Sequence, residues 1–452
     1  VTDNKNNYDV IVVGGGGAGM SAAILAADAG AKVALLEAGD RVGGSTALAG
    51  GYLFAANTAQ QQECGIEDSV EAMVEYIVSL NGDSIPLDLV RKISEEAPTA
   101  LAWLAEIGVD YPSFMLTSAD GRMTARSHGP IGQGAKIAER LDFELSKRDI
   151  DLAINSRIDR LAFDESGAVM GVYVGDELIS AAAVVIACGG VGGDLELVSE
   201  MLPKSKRMGD SLWYVGCATN RGDGLRMARD AGAKICGENS GLFLLAASFQ
   251  RDFEVLAPTW AMLVNSAAER VVNEDGGYWE LSQALEAEDN AIGYYIFDQQ
   301  MLESAAPEPM YAEAVKSGMI SLSWVSKTLK EQLQQGNILE GQSLSDLAEV
   351  TGLNPAKLKH TVTRYNQMVE QGMDEDFGKS ADNLNKISEG PYYAVGVKPA
   401  MAVVMGAGPA IDTNARVLDD LGQPIAGLYA AGEVTGNVYG QYYVGTGYAI
   451  AS

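Results

Sequence analysis

The run Gly14-Gly15-Gly16-Gly17-Ala18-Gly19 constrains this chain more than any other segment, because of what flanks it. Tyr8 to Val13 (YDVIVV) is a short β-branched run that reads as a strand, and Met20 to Ala29 (MSAAILAADA) is an Ala-rich helix of small residues. A second strand at Lys32 to Leu36 ends in Glu37 and completes a βαβ unit of about 30 residues. Gly14, Gly16 and Gly19 fit the spacing G-x-G-x-x-G, where a tight turn lets a pyrophosphate approach backbone N–H groups at a helix N-terminus. Glu37 can accept hydrogen bonds from both hydroxyls of an adenosine ribose, and an acid there disfavours a 2′-phosphate. The turn predicts a dinucleotide other than NADP.

Later glycine segments favour FAD over NAD. Gly43-Gly44-Ser45-Thr46 and Ala49-Gly50-Gly51 are of the kind needed to run backbone beneath a flavin. Ala187-Cys188-Gly189-Gly190 ends another strand in small residues, and Gly432-Glu433-Val434-Thr435-Gly436 does the same near the C-terminus. Three such strand ends converging on one extended ligand suit FAD.

At 452 residues and 47% hydrophobic, the chain has material for two or three lobes and needs no metal or disulfide staple. Cys64, Cys188, Cys217 and Cys236 form no CxxC pair and read as small buried hydrophobes. The formal charge of −29 opposes nucleic acid and anionic membranes. No apolar run is long enough to span a bilayer, and the polar lead Val1 to Asn7 has no signal-peptide core, so a soluble protein is expected. Because the chain opens on Val1 and stops within a helical pattern, residues beyond both ends are expected; its location is cytoplasmic, or exported with the leader absent.

Asp68–Ser69 caps an amphipathic helix through Leu80, and Leu87 to Ile107 reads as another, interrupted near Pro98. Residues 151–187 alternate as strands; the pattern changes near Glu238 and returns to small-residue strands after Pro391. The fold expected is α/β, a Rossmann-type FAD-binding domain with an inserted α+β capping domain. Residues 1–237 and 386–452 are assigned to the first and 238–385 to the cap.

The segments GGGGAGMSAA, GGSTALAGG, TNRGDGLRMARDAGA, VNSAAERVVNED and GLYAAGEVTG together resemble the flavoprotein family of fumarate reductases, succinate dehydrogenases and 3-ketosteroid dehydrogenases, over nearly the whole chain. The resemblance implies that Gly14, Gly16, Gly19, Glu37, Gly44, Ser45, Thr46, Gly190, Gly432 and Glu433 bind FAD. Members with covalent flavin use a histidine near the second glycine stretch. The only histidines here are His128 and His360, so non-covalent FAD is expected. His128 is expected to be a surface residue and His360 a structural one.

Members of this family add or remove hydrogen across a carbon–carbon bond next to a carbonyl. Fumarate reductases clamp two carboxylates with cations. This sequence departs from their pattern, with Ala257-Pro258-Thr259, Tyr278, Val404 and Tyr443 at the corresponding places. Tyr278 and the run Tyr443 to Gly447 instead resemble 3-ketosteroid Δ1-dehydrogenases, in which a tyrosine hydroxyl and a glycine N–H hold the ketone. That resemblance implies that Tyr443 and Gly447 grip the carbonyl oxygen, that Tyr278 exchanges a proton, and that Tyr111 is an auxiliary tyrosine. Physical chemistry supports it, since a C–H beside a ketone becomes acidic only when the developing enolate oxygen meets donors already in place. A phenol of pKa about 10 must be lowered to act as the base of a dehydrogenase, but not to donate the proton in a reductase. The expected partners are a small apolar ketone or enone, steroid-like in bulk, and an external electron donor or acceptor. The alternative is a reductase of an unsaturated carboxylate that recruits Arg126 or Arg251.

Overall fold

The computed structural model describes residues 7–118, 123–248, 257–306, 324–436, 438–440, 442–445 and 447–448. The chain divides into two compact units, one of Val1–Pro203, Gly216–Leu242 and Val403–Ser452, the other of Lys204–Val215 and Phe243–Ala402.

The first unit is built on an eight-stranded sheet. Its central path runs Arg416–Leu418, Pro424–Ala430, Glu177–Ile186, Tyr8–Val13, Val33–Leu36, Ile150–Ala153, and Arg160–Phe163 and Val169–Val174 add a hairpin beside Glu177–Ile186. Pairings from Pro424–Ala430 through Ile150–Ala153 are all parallel. A parallel sheet is covered on both faces, so its strands are apolar at successive positions. Ile11, Val13, Ala34 and Leu36 face a cluster with Val172, Met227, Ala228 and Leu428. Val12, Val33 and Leu35 face the opposite cluster, with Met20, Ala23 and Ile24 of helix Gly17–Asp28 and Leu101, Ile137 and Leu141. The period of two delivers alternate residues to two cores, each full burial contributing roughly 1.5–3 kcal/mol.

Helix Val70–Asn81 starts at Ser69, whose Oγ accepts from Ala72 N–H at 3.1 Å. Leu87–Glu106 is one 20-residue helix that passes through Pro98, contrary to the expected break. Proline removes one intrahelical hydrogen bond, but the buried stripe of Leu89, Val90, Ala97, Leu101 and Leu104 continues across it and holds both halves in register.

The second unit has a sheet organised on the long strand Tyr392–Met405, which pairs antiparallel with Gly293–Asp298 and Leu339–Gly341 and parallel with Trp213–Tyr214. Its core gathers Leu263, Tyr295, Ile296 and Val395 from strands with Leu281, Leu347, Leu358 and Tyr365 from helices. Sheet and helices together make the α+β architecture expected of the insert. No helix among the described residues is long and apolar enough to cross a membrane.

Candidate active site

Strand register brings the glycine segments to one level. Val13 pairs with both Leu36 and Ile186, and Ile186 pairs in turn with Ala430. The chain therefore leaves these neighbouring strands at one edge, into Gly14, Glu37, Ala187 and Ala431. Ligands bind outside the carboxyl ends of such strands.

The first turn shows why its glycines differ. A Cβ on Gly14 (φ +105°) would lie 2.6 Å from the Ala187 carbonyl oxygen, and one on Gly19 would lie 1.8 Å from that of Gly14. These two positions lock the helix against the strands. At Gly16, which caps helix Gly17–Asp28, a Cβ would meet nothing within 4 Å among the described residues beyond its chain neighbours. The N-terminus of the helix thus faces open space bordered by backbone, which fits a pyrophosphate. Glu37 is buried, and its two oxygens accept from Gly15 N–H at 2.7 Å and Gly39 N–H at 2.6 Å. Each oxygen keeps a second lone pair, as a ribose diol requires.

The second glycine stretch folds onto the first. Gly16 bridges Gly43, and Thr46 Oγ1 accepts from Gly17 N–H at 3.0 Å. Ser45 Oγ accepts from Cys217 N–H at 2.9 Å and Asn220 Nδ2 at 3.2 Å. Asn220 also donates to Glu433 Oε2 at 3.4 Å, and a Cβ on Gly190 would lie 2.8 Å from Oε1 of the same carboxyl. Gly432 (φ +79°) leaves room for Ala18. Glu433 is so densely surrounded that desolvation pushes its carboxyl up to about 7, against hydrogen bonds from Met405 and Gly190 N–H that lower it. Gly14, Gly16, Gly19, Glu37, Gly44, Ser45, Thr46, Gly190, Gly432 and Glu433 all belong to the first unit. Asn220, within TNRGDG but not singled out from the sequence, joins two of these loops.

Tyr443 and Gly447 also lie in the first unit. Tyr443 is buried, 6.2 Å from Tyr439 between ring centroids, and Tyr439 stands 6.4 Å from Tyr448. Gly447 (φ +99°) packs against the Tyr52 backbone and accepts from Phe54 N–H at 3.3 Å. Tyr111 sits within the core behind helix Gly17–Asp28; its buried hydroxyl has no hydrogen-bond partner among the described residues, and burial pushes its pKa up. Tyr278 belongs to the second unit, where it opens helix Tyr278–Glu286 and packs edge-on against Trp279 at 5.5 Å. The turn before it is anchored by buried charges. Arg270 pairs with Glu274 and Asp374, while Asp275 accepts from Ser380 N–H and Asn383 Nδ2.

Three expectations need correction. His128 is buried in strand Ser127–His128, where its Nδ1 faces the Leu53 and Arg126 carbonyls and Nε2 meets Thr58 Oγ1 at 2.8 Å. That geometry makes Nδ1 the donor and Nε2 the acceptor of a neutral ring, and burial lowers its pKa. Cys64 is exposed and the other cysteines are half-buried. It is the C-cap of the short helix Ala59–Glu63, and its Sγ donates to the Ser113 carbonyl at 3.6 Å. Arg126 is buried and held by Asp68 through two bonds of 2.7 and 2.6 Å, an engagement that arginine–carboxylate geometry favours. Arg251 lies outside the described residues.

A family model for an FAD binding domain matches residues 9–450. The chain is 33% identical to a fumarate reductase (cytochrome) of Shewanella frigidimarina, over 97% of this chain and 74% of that one. It belongs to the fumarate reductase family of FAD-binding proteins. It is therefore an FAD-dependent oxidoreductase. It is also 32% identical to a urocanate reductase of Eggerthella lenta, over 97% of this chain and 72% of the relative. The fold is similar to that of the 3-ketosteroid delta1-dehydrogenase from Sterolibacterium denitrificans, solved with 1,4-androstadiene-3,17-dione, at a TM-score of 0.80 with 22% identity, over 99% of this chain and 97% of that one.

Proposed function

We propose that this flavoenzyme adds or removes hydrogen across the carbon–carbon bond beside a ketone. The observation that carries the reading is the group of buried phenols, Tyr443 with Tyr439 and Tyr448, in the segment that ends at Gly447 and Tyr448. When bound, FAD would supply the two-electron chemistry, taking or giving a hydride at N5. The Tyr443 hydroxyl and Gly447 N–H hold the ketone oxygen and stabilise its developing negative charge. Tyr278 gives or takes the α-proton. The FAD is held non-covalently, supported by the engagement of both ring nitrogens of His128 and the exposed position of His360. The substrate is apolar and steroid-like in bulk, and the second electron carrier is external.

Reduction of an unsaturated carboxylate is the second reading, favoured by identity to the fumarate and urocanate reductases. Arg126 does not supply its clamp, because Asp68 already neutralises that guanidinium. The test is anaerobic photoreduction of the bound flavin, followed by 1,4-androstadiene-3,17-dione, 2-cyclohexenone, fumarate and urocanate as oxidants. Reoxidation by the ketones is expected. Reoxidation by the carboxylates alone would transfer the assignment to the second reading. Tyr443→Phe and Tyr278→Phe should each keep the yellow flavin and lose about 10²-fold or more in turnover; wild-type rates in both would remove these roles.

A further inference from the structure

We propose that Asn81 is a positioning residue, whose carboxamide fixes the direction in which the Tyr443 side chain leaves its backbone. The proposal rests on the reading of Tyr443 and Gly447 as the ketone's partners. Asn81 ends helix Val70–Asn81 and is buried. Its Oδ1 accepts from Tyr442 N–H at 2.9 Å, and its Nδ2 donates to the Tyr442 carbonyl at 3.0 Å. A side-chain amide thus pairs with both backbone groups of one residue, the one before Tyr443. Aspartate could accept but would set oxygen against oxygen on the other side. The close approach depends on Gly440 (φ +65°), where a Cβ would lie 2.2 Å from Asn81 Oδ1.

The same helix holds the residue after Tyr443. Tyr76 donates its hydroxyl to the Val444 carbonyl at 2.9 Å, while the Arg126 guanidinium, fixed by Asp68, lies 5.5 Å over its ring. Tyr442 and Val444 are therefore tethered on either side of Tyr443, and its Cα–Cβ direction is set from both. Ser240 Oγ donates to the Gly440 carbonyl and Phe54 N–H to that of Gly447. Each of these tethers reaches backbone. Oxyanion donors lose effect steeply when displaced, since a misplacement of about 1 Å can cost about 10²-fold in rate.

The experiment uses the FAD-loaded enzyme, photoreduced and mixed with 1,4-androstadiene-3,17-dione or 2-cyclohexenone. Asn81→Ala and Asn81→Asp should lower the maximal reoxidation rate about 10–100-fold while KM moves less than about threefold and FAD is retained. Hydrogen exchange over residues 438–448 should quicken. Asn81→Ala combined with Tyr443→Phe should be no slower than Tyr443→Phe alone, because a residue acting through the hydroxyl has nothing left to position. Additive losses, or a full rate in Asn81→Ala beside an impaired Tyr443→Phe, would overturn the inference and leave the site reading intact. A full rate in Tyr443→Phe, or a wild type inert to both ketones, would sink the site reading and the inference with it. If Asn81→Ala does not fold, Tyr76→Phe takes its place, with a smaller loss and the same non-additivity; additivity there is equally fatal.

Discussion

Substitution of Gly16 by alanine isolates cofactor approach from protein packing. Gly16 has φ −77° and ψ −175°, a conformation open to any residue, and the added Cβ would meet no atom of another described residue beyond its chain neighbours within 4 Å. The folded apoprotein should tolerate it, and the lost freedom of the unfolded chain should stabilise it by about 0.4–1 kcal/mol. If the pyrophosphate docks at this helix N-terminus, the methyl group instead takes up the space it needs. Intrusion of this size costs about 1–3 kcal/mol, or about 5–150-fold in the Kd for FAD. Gly19→Ala is the counterpart, because its Cβ would lie 1.8 Å from the Gly14 carbonyl oxygen. Helix and strand must part to relieve that clash, so apoprotein stability and affinity should fall together. Flavin fluorescence quenching on titration of apoprotein gives the affinities, and urea unfolding without FAD gives the stabilities. A Gly16→Ala protein that binds FAD as tightly as wild type, or whose apoprotein is markedly destabilised, would refute the reasoning.

Two further outcomes follow from the buried charges. Glu433 has its folded pKa pushed up to about 7 from an ordinary 4.5, so the folded apoprotein holds a proton that the unfolded chain releases between these values. Its contribution should be fully present below pH 4.5, decline as pH rises through about 7 and stay flat above, and the difference in unfolding free energy between wild type and Glu433→Gln should trace that decline. An unchanged difference across the interval would exclude the perturbed carboxyl. Asp68→Asn leaves the buried Arg126 uncompensated, a change that costs about 3–5 kcal/mol when one partner of such a pair is removed, and denaturant unfolding of the first unit should register it. A loss under about 1 kcal/mol would mean that Arg126 finds water or another anion.

Sequence displays the cofactor half of this protein because backbone geometry limits residue type there. Gly14 and Gly19 stand where almost any side chain would collide, and the strands that deliver them are buried on both faces, so apolar runs and glycine spacing are required by the fold itself. Glu37 is legible for a related reason, since it closes the second strand at the level where Val13 meets Leu36. None of these constraints depends on contacts distant in sequence, beyond the pairing of strands that are already recognisable.

The surroundings of Tyr443 are written differently. Asn81 and Tyr442 are 361 residues apart, Tyr76 and Val444 are 368 apart, and an asparagine at a helix end reads locally as an ordinary terminator. His128 illustrates the same limit. In ARSHGP it sits beside glycine and proline like a turn residue, yet pairing with Leu53 buries it and Thr58 satisfies it. Pro98 fails as a breaker because a buried stripe on both sides outweighs one lost hydrogen bond. Likewise, residues 204–215 join the second unit with no change of composition to announce it. A local rule locates the glycines that a tight turn between strand and helix demands. The direction of the Tyr443 side chain, however, is set by tethers whose partners the chain order separates, and substitutions at Asn81 and Tyr76 test that tethering more directly than changes at the tyrosine itself.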